Sequence, residues 1–443
     1  MVTELNRKTI WGWMSYDWAS QPHSTLLVTF IFAPYFTSTV VGDPVQGQAQ
    51  WGYMTGIAGL LIALSAPILG VFADFTGLRK RLISIFSVMY IIGSVSLWYA
   101  VPEMQSTTGI LLLFAVGLIG NELLHLFASS FLPDIAPRSE MGRISGAGWG
   151  FGYAGGVFAL IVMMAFFAQG GDGLTYLGFE PAFGLNAAEF EGTRFVGPLT
   201  ALWFIVFIAP FFLFVPEIQK PYEQGQFRLA LTELWKTIKG LPQRTSFFAY
   251  LGSSMFYRDA LNGMYAFGGI YAAGVLKWEI TQIGIFGIIA AIAGAIACWL
   301  GGYADQRFGP KRVIVWCVVI LMITAILIIT TSRTSFLFMP LSEGSSLPDQ
   351  MFYIYGMLIG SAGGVLQATS RTMLVDQVEP DRVTEGFGLY GLAGKATAFI
   401  APLSIAVVTD ITGNQQLGVT PIIVLFVIGL VILKWVKSNE AYV

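Results

Sequence analysis

Twelve apolar runs, each about the length of a bilayer-crossing helix, follow one another along this chain. They lie near 17-41, 50-73, 82-101, 109-132, 144-168, 197-216, 246-275, 281-304, 312-331, 351-374, 385-409 and 418-437. A spanning helix needs about 20 mostly apolar residues, so the pattern predicts an all-α membrane protein with twelve transmembrane helices. Pro22 and Pro34 interrupt the first run, and Pro198 and Pro210 the sixth. Membrane helices tolerate proline where neighbours re-satisfy the freed carbonyls. Composition agrees: 55% of the 443 residues are hydrophobic and 11% charged, against about 25% charged in soluble domains. That is too little charge to clothe a water-soluble fold, and it excludes a soluble domain, a disordered chain and a nucleic-acid binder. After Arg7 and Lys8 comes WGWMSYDWASQP, which carries Asp17 and Pro22 where a secretory signal would be apolar, so the N-terminus is expected to belong to the mature protein.

The 24 Lys and Arg residues orient the set. Only Arg194, Lys277 and Arg333 fall in loops on one side, and Arg258, Arg371 and Lys395 fall inside runs. The others flank the runs on the opposite side, which the positive-inside rule predicts to be cytoplasmic. An even number of spans then puts both termini in the cytoplasm. The net charge of -2 indicates no acidic or basic partner. Cys298 and Cys317 lie in apolar runs and form no disulfide framework. With only two histidines, no metal site and no cofactor are predicted.

The chain reads as two halves, 1-218 and 246-443, joined by a basic segment at 219-245. Phe227, Leu231, Leu234, Ile238 and Leu241 would form one stripe of a helix there, as expected of a surface helix in the membrane interface. The loop at 169-196 on the opposite side is Gly-rich and acidic, and no fold is legible in it. GVFADFTGLRKR at 70-81 recurs as GGYADQRFGPKR at 301-312, with Asp74 and Asp305 in equivalent places. LPDIAP with the Gly-rich stretch to 156 has a counterpart in LVDQVEP and GFGLYGLAGK at 374-395. Halves with matched motifs after corresponding helices predict parallel repeats, the plan of a rocker-switch carrier.

The repeated loop motif, G-x-x-x-D-x-x-G-x-[RK]-[RK], resembles the one between the second and third helices of the major facilitator superfamily. Gly70 and Gly77 permit a tight turn, Asp74 can receive backbone N–H groups at a helix start, and Arg79, Lys80 and Arg81 would lie at the anionic inner leaflet. The second copy, Gly301, Asp305, Gly309, Lys311 and Arg312, has one extra residue between Asp305 and Gly309. These residues are expected to serve gating and packing between the halves. Gly148, Gly152 and Gly156 form a small-residue ridge in the fifth run, and Gly394 and Ala398 a shorter one in the eleventh.

Charges inside runs point to chemistry, because one at mid-membrane costs about 2.5–3.5 kcal/mol even on insertion scales. Asp17 and Gln21 share a face of helix 1, Glu122 and His125 a face of helix 4, and Gln367 and Arg371 a face of helix 10. Arg258 and Asp259 lie mid-helix in the seventh run with Asn262 one turn on, and Lys395 lies about ten residues into the eleventh. Duller roles compete. Asp17 would cap the start of helix 1, Arg371 would snorkel to the interface, and a lone histidine such as His125 is more often packed in a core. Arg258 and Asp259 point about 100° apart, so one of them would be a fixed partner between helices. Glu122, Asp259 and Lys395 cannot be explained by end-capping. A mixed set of this kind suits a small zwitterion, with carboxylates available for proton coupling.

YDWASQP (16-22), FLPDIAPRSEMGRISGAGWGFGYAGG (131-156), Tyr257 to Asp259, QATSRTML (367-374) and EGFGLYGLAGK (385-395) resemble the autophagy-related vacuolar amino-acid effluxer family and its bacterial relatives, within the major facilitator superfamily. The resemblance spans both halves. It implies secondary transport of a small polar solute, with amino-acid efflux in its eukaryotic members. It marks Tyr16, Asp17, Pro133, Asp134, Gly152, Tyr153, Asp259, Gln367, Arg371, Phe387, Gly388, Tyr390 and Lys395 as family-like. The fold implies a monomer that partners with its substrate, protons and the lipid bilayer. Short loops favour a prokaryotic inner membrane over a vacuole. An efflux pump for amphipathic compounds and a non-transporting receptor or scaffold are the competing readings. No nucleophile-base pair, zinc helix or P-loop supports an enzyme.

Overall fold

The computed structural model describes residues 6–76, 78–136, 138–216, 232, 235–236, 239–378 and 383–437. Most of the linker helix expected at 219-245 lies outside these residues, as do Gly77 and the side chains around Gly70 and Asp74. Among the described residues nine helices are long and apolar enough to span a bilayer, and the chain is a helical multi-pass membrane protein.

The main helices are α1 (Arg7–Pro22), α2 (Pro44–Thr76), α3 (Arg79–Ser96), α4 (Thr108–Ser129), α5 (Arg138–Phe166), α6 (Val196–Phe214), α7 (Thr245–Gly274), α8 (Ile280–Phe308), α9 (Pro310–Ile329), α10 (Leu347–Gln377), α11 (Val383–Ala396), α12 (Ile400–Thr412) and α13 (Pro421–Leu433). They pack into two compact units. The first comprises Met1–Gly42, Leu64–Glu233 and Glu279–Gly284, and the second Asp43–Ala63, Leu234–Trp278 and Ile285–Val443.

Two helices depart from the reading of the sequence. The first starts ten residues earlier than its apolar run, at Arg7, where the Asn6 side chain caps it by accepting from the Lys8 N–H at 3.1 Å. Pro22 brings no N–H, so the Trp18 carbonyl lacks its usual partner four residues on; it accepts instead from the Trp203 indole on α6 at 3.0 Å. Beyond Pro22 the chain continues as π-helix, His23–Phe30. The eleventh run is not one helix: residues 397–399 form a turn between α11 and α12. Pro402 explains the break, because it cannot donate to the Ala398 carbonyl and its ring crowds that turn. The small-residue ridge expected from Gly394 to Ala398 is therefore cut in two.

In the first unit, close approach depends on glycine. A Cβ at Gly93 of α3 would lie 2.4 Å from the Gly117 Cα of α4. The loop at 169-196 does have structure: short turns at Ala182–Gly184 and Ala187–Glu189 lead into Glu191–Arg194. Arg194, 7% exposed, donates to the Trp98 and Glu189 carbonyls and lies over the Trp98 ring. In the second unit, Ser253 of α7 donates to the Gly429 carbonyl of α13 at 2.7 Å, and the Tyr257 and Ser370 hydroxyls meet at 2.8 Å. Residues 43–63 belong to this unit: the buried Gln48 amide donates to Thr409 Oγ1 at 2.8 Å and to the Gln415 carbonyl at 3.2 Å.

Candidate functional site

The break between α11 and α12 gathers charged candidates from the second unit. α11 ends in a region of partial negative charge, and α12 begins with N–H groups of partial positive charge. Lys395 sits in the last turn of α11, where a cation is favourable. Arg258 of α7 donates to the Tyr390 carbonyl at 3.1 Å, and its guanidinium lies 4.1 Å from the Tyr390 ring centroid. It gets this close because Gly394 has no side chain: a Cβ there would lie 2.7 Å from the guanidinium nitrogens. Asp259, the next residue, turns to the other piece. Its Oδ2 accepts from the Ala401 N–H at 2.9 Å, at the start of α12. Two adjacent residues on α7 thus hold the two pieces of the broken helix, the cation on a carbonyl of α11 and the carboxylate on a first-turn N–H of α12. Asp259 is 3% exposed, and its second oxygen, Oδ1, has no hydrogen-bond partner. Asn262, one turn on, is exposed.

In the first unit, Asp17 is 9% exposed and lies ten residues inside α1, so it does not cap the helix start. It faces the glycine ridge of α5, where a Cβ at Gly148 would lie 2.5 Å from its Oδ2 and one at Gly152 3.1 Å from its Cβ. Gln21 lies against Gly156 in the same contact. Glu122 and His125 are half-buried on α4. The His125 ring centroid is 5.9 Å from that of Tyr16 and 5.8 Å from that of Trp149.

The loop motif behaves differently from its reading. Arg79 is turned inward. It is 5% exposed, paired with Asp134 of the LPDIAP stretch, donating to the Ser130 carbonyl at 2.9 Å and lying over the Phe131 ring. Lys80 donates to the Phe212 carbonyl at 3.1 Å. In the second copy, Lys311 donates to the Val436 carbonyl, and Asp305 is buried beside Thr372 and Asp376 of α10. Gly309, with φ of 80°, occupies the left-handed region between α8 and α9. Among the described motif residues, Arg79, Lys80 and Lys311 thus each donate to a carbonyl of another segment within the same unit. Among the described residues no group of His, Cys, Asp and Glu could hold a metal ion.

Solved structures with the same fold include the inward-open xylose transporter XylE from E. coli, at TM-score 0.62 and 14% identity, covering 98% of this chain and 96% of that one. The nucleoside transporter NupG matches at TM-score 0.63 and 14% identity, covering 98% and 100%. The chain therefore shares the fold of these transporters. More closely, residues 38–443 match the family described as "Vacuole effluxer Atg22 like", and the chain belongs to it. It is 26% identical to the uncharacterized MFS-type transporter YxiO of Bacillus subtilis over 97% of this chain and 95% of that protein. It is 21% identical to autophagy-related protein 22 of Cryptococcus neoformans over 66% of this chain, a match that spans only 49% of the fungal protein's own length.

Proposed function

We propose that this protein is a twelve-helix, proton-coupled secondary carrier that moves a small zwitterionic solute, such as an amino acid, by alternating access. The observation that carries the reading is Asp259, a carboxylate buried in a membrane helix with one oxygen bonded to the start of α12 and the other without a partner. Such an atom seeks a donor, either a proton or a substrate ammonium. Arg258 and Lys395 are the cations beside the same break, and either suits a substrate carboxylate. Glu122, one turn from His125, is the matching carboxylate of the first unit and the proposed proton carrier. Membership in a family of vacuole-effluxer-like proteins, and similarity to an MFS-type transporter, support carriage of small molecules. The distribution of Lys and Arg supports cytoplasmic termini, and the short loops favour a prokaryotic inner membrane.

The test is uptake into proteoliposomes under an imposed pH gradient, using substrates picked by a thermal-shift screen of amino acids, peptides, nucleosides and sugar acids. Glu122→Gln should lose gradient-driven accumulation while keeping exchange, and Asp259→Asn should lose the stabilising ligand. Undiminished accumulation in Glu122→Gln removes that residue as the coupling group. Stabilisation by apolar cations and by no zwitterion would instead favour an efflux pump.

A further inference from the structure

The segment that follows α9 makes a turn from residues that disfavour it. β1 (Ser335–Phe336) and β2 (Met339–Pro340) pair as an antiparallel hairpin, joined by Leu337 and Phe338 alone. Both turn residues have positive φ, 50° and 64°. A two-residue turn with that backbone ordinarily holds Asn-Gly or a similar pair, because a bulky side chain is crowded there. In this turn both side chains are large and apolar, and neither is tucked away. Leu337 is 40% exposed, Phe338 85% and the adjoining Met339 59%. Turn geometry alone would select small polar residues, so the contribution of Leu337 and Phe338 lies in what their side chains touch.

Contacts with α7 and α10 set the depth of the hairpin. The Thr331 carbonyl accepts from Tyr271 at 3.0 Å, still inside α7, and its hydroxyl meets that of Tyr355 at 3.3 Å, inside α10. Arg333 reaches helix ends instead. It donates to the Leu276 carbonyl, just past α7, and pairs at 2.8 Å with Asp349 in the first turn of α10. Asp349 is about 9 Å nearer the start of α10 than Tyr355, at about 1.5 Å per residue. From Thr331 to Arg333 the chain therefore climbs toward the membrane surface. Its return is antiparallel: Phe336 bridges to Thr331, and the Leu337 N–H donates to the Thr330 carbonyl at 3.1 Å. The polar turn at Ser332–Thr334 thus faces water, and the apolar turn points back down to the level of the last turn of α9. Along α9 the exposed Trp316, Ile320, Ile323 and Ile326 follow one face, the apolar face that a spanning helix gives to lipid. Thr330 continues that face, and Leu337 lies against it.

We propose that the Leu337–Phe338 turn is a lipid anchor, seated beside α9 at the boundary between headgroups and acyl chains, with Phe338 and Met339 in contact with lipid. Two observations select lipid over a protein partner. The tip continues the apolar face of α9, and the hairpin carries its polar turn outward and its apolar turn inward, as the polarity gradient at that boundary demands. The inference rests on the spanning arrangement of α7, α9 and α10, and is independent of what the protein carries. Its consequence is a connection between α9 and α10 that is held at a fixed depth by lipid as well as by Arg333.

Spin labels at the two ends of the hairpin test this. In the full chain carrying Cys298→Ala and Cys317→Ala, a label is attached at Phe338→Cys or at Thr334→Cys, both exposed positions, and the protein is placed in phosphatidylcholine–phosphatidylglycerol vesicles. Power saturation then reads collisions with oxygen, which concentrates among acyl chains, and with a water-soluble nickel chelate. The expected result is an oxygen-to-nickel ratio several-fold higher at 338 than at 334. Equal ratios at the two positions overturn the proposal. So does a label at 338 that is shielded from both reagents, which is how a protein partner or a second copy of this chain would cover it. Met339→Cys gives the same reading should Phe338→Cys fail to fold.

Discussion

Arg79→Ala removes the cation from a pair that lies well away from water. The side chains of Arg79 and Asp134 are 6% and 23% exposed, and the guanidinium also serves the Ser130 carbonyl and lies 4.4 Å from the Phe131 ring centroid. Breaking one partner out of a buried ion pair costs about 3–5 kcal/mol, because the remaining charge stays desolvated without compensation. Asp134 keeps some access to water, so the expected loss is about 3 kcal/mol, the low end of that range. Replacing both partners with apolar groups, Arg79→Met/Asp134→Leu, strands no charge and should lie within about 1 kcal/mol of the parent protein. Tryptophan fluorescence during denaturant titration in mixed micelles measures all of these differences. The reasoning fails if the single variant costs under about 1 kcal/mol, or if the double variant is as unstable as the single.

Gly93→Ala should destabilise by about 1–3 kcal/mol as α3 and α4 are forced apart, since the new methyl would sit 2.4 Å from the Gly117 backbone; the same titration checks it. Trp203→Phe removes the indole donor from the Trp18 carbonyl and should cost about 1–3 kcal/mol. At the helix break, Asp259→Ala should lose about 1 kcal/mol of capping energy that Asp259→Asn, which keeps an acceptor for the Ala401 N–H, largely retains. Comparing those two midpoints separates the positioning role of Asp259 from its charge.

Membrane fold and family were legible because apolar runs, basic flanks and repeated motifs are local patterns. What escaped has physical causes. The start of the first helix, RKTIWGWMSY, is too polar to register as an apolar run, yet it is seated by its aromatic and small residues. The break in the eleventh run had a signal, Pro402, four residues beyond the carbonyl that it leaves unpaired, but an apolar count ignores a proline in an otherwise apolar stretch. The Arg79–Asp134 pair joins residues far apart in the chain, which no spacing rule anticipates. Of the candidate residues, Arg258, Asp259 and Lys395 gather at one break, while Asp17 and Gln21 face a glycine ridge.

The grip of α7 on the broken helix has a directional consequence. α11 and α12 run the same way along the chain, so the carbonyl-rich end always precedes the N–H-rich end. Exchanging the two residues, Arg258→Asp with Asp259→Arg, would preserve composition, net charge and the presence of an ion of each sign. It would nevertheless set a carboxylate against the Tyr390 carbonyl and a guanidinium against the Ala401 N–H, so that both contacts repel. Polypeptide chains have a polarity, and at this junction it dictates the order in which two neighbouring letters of the sequence must be written.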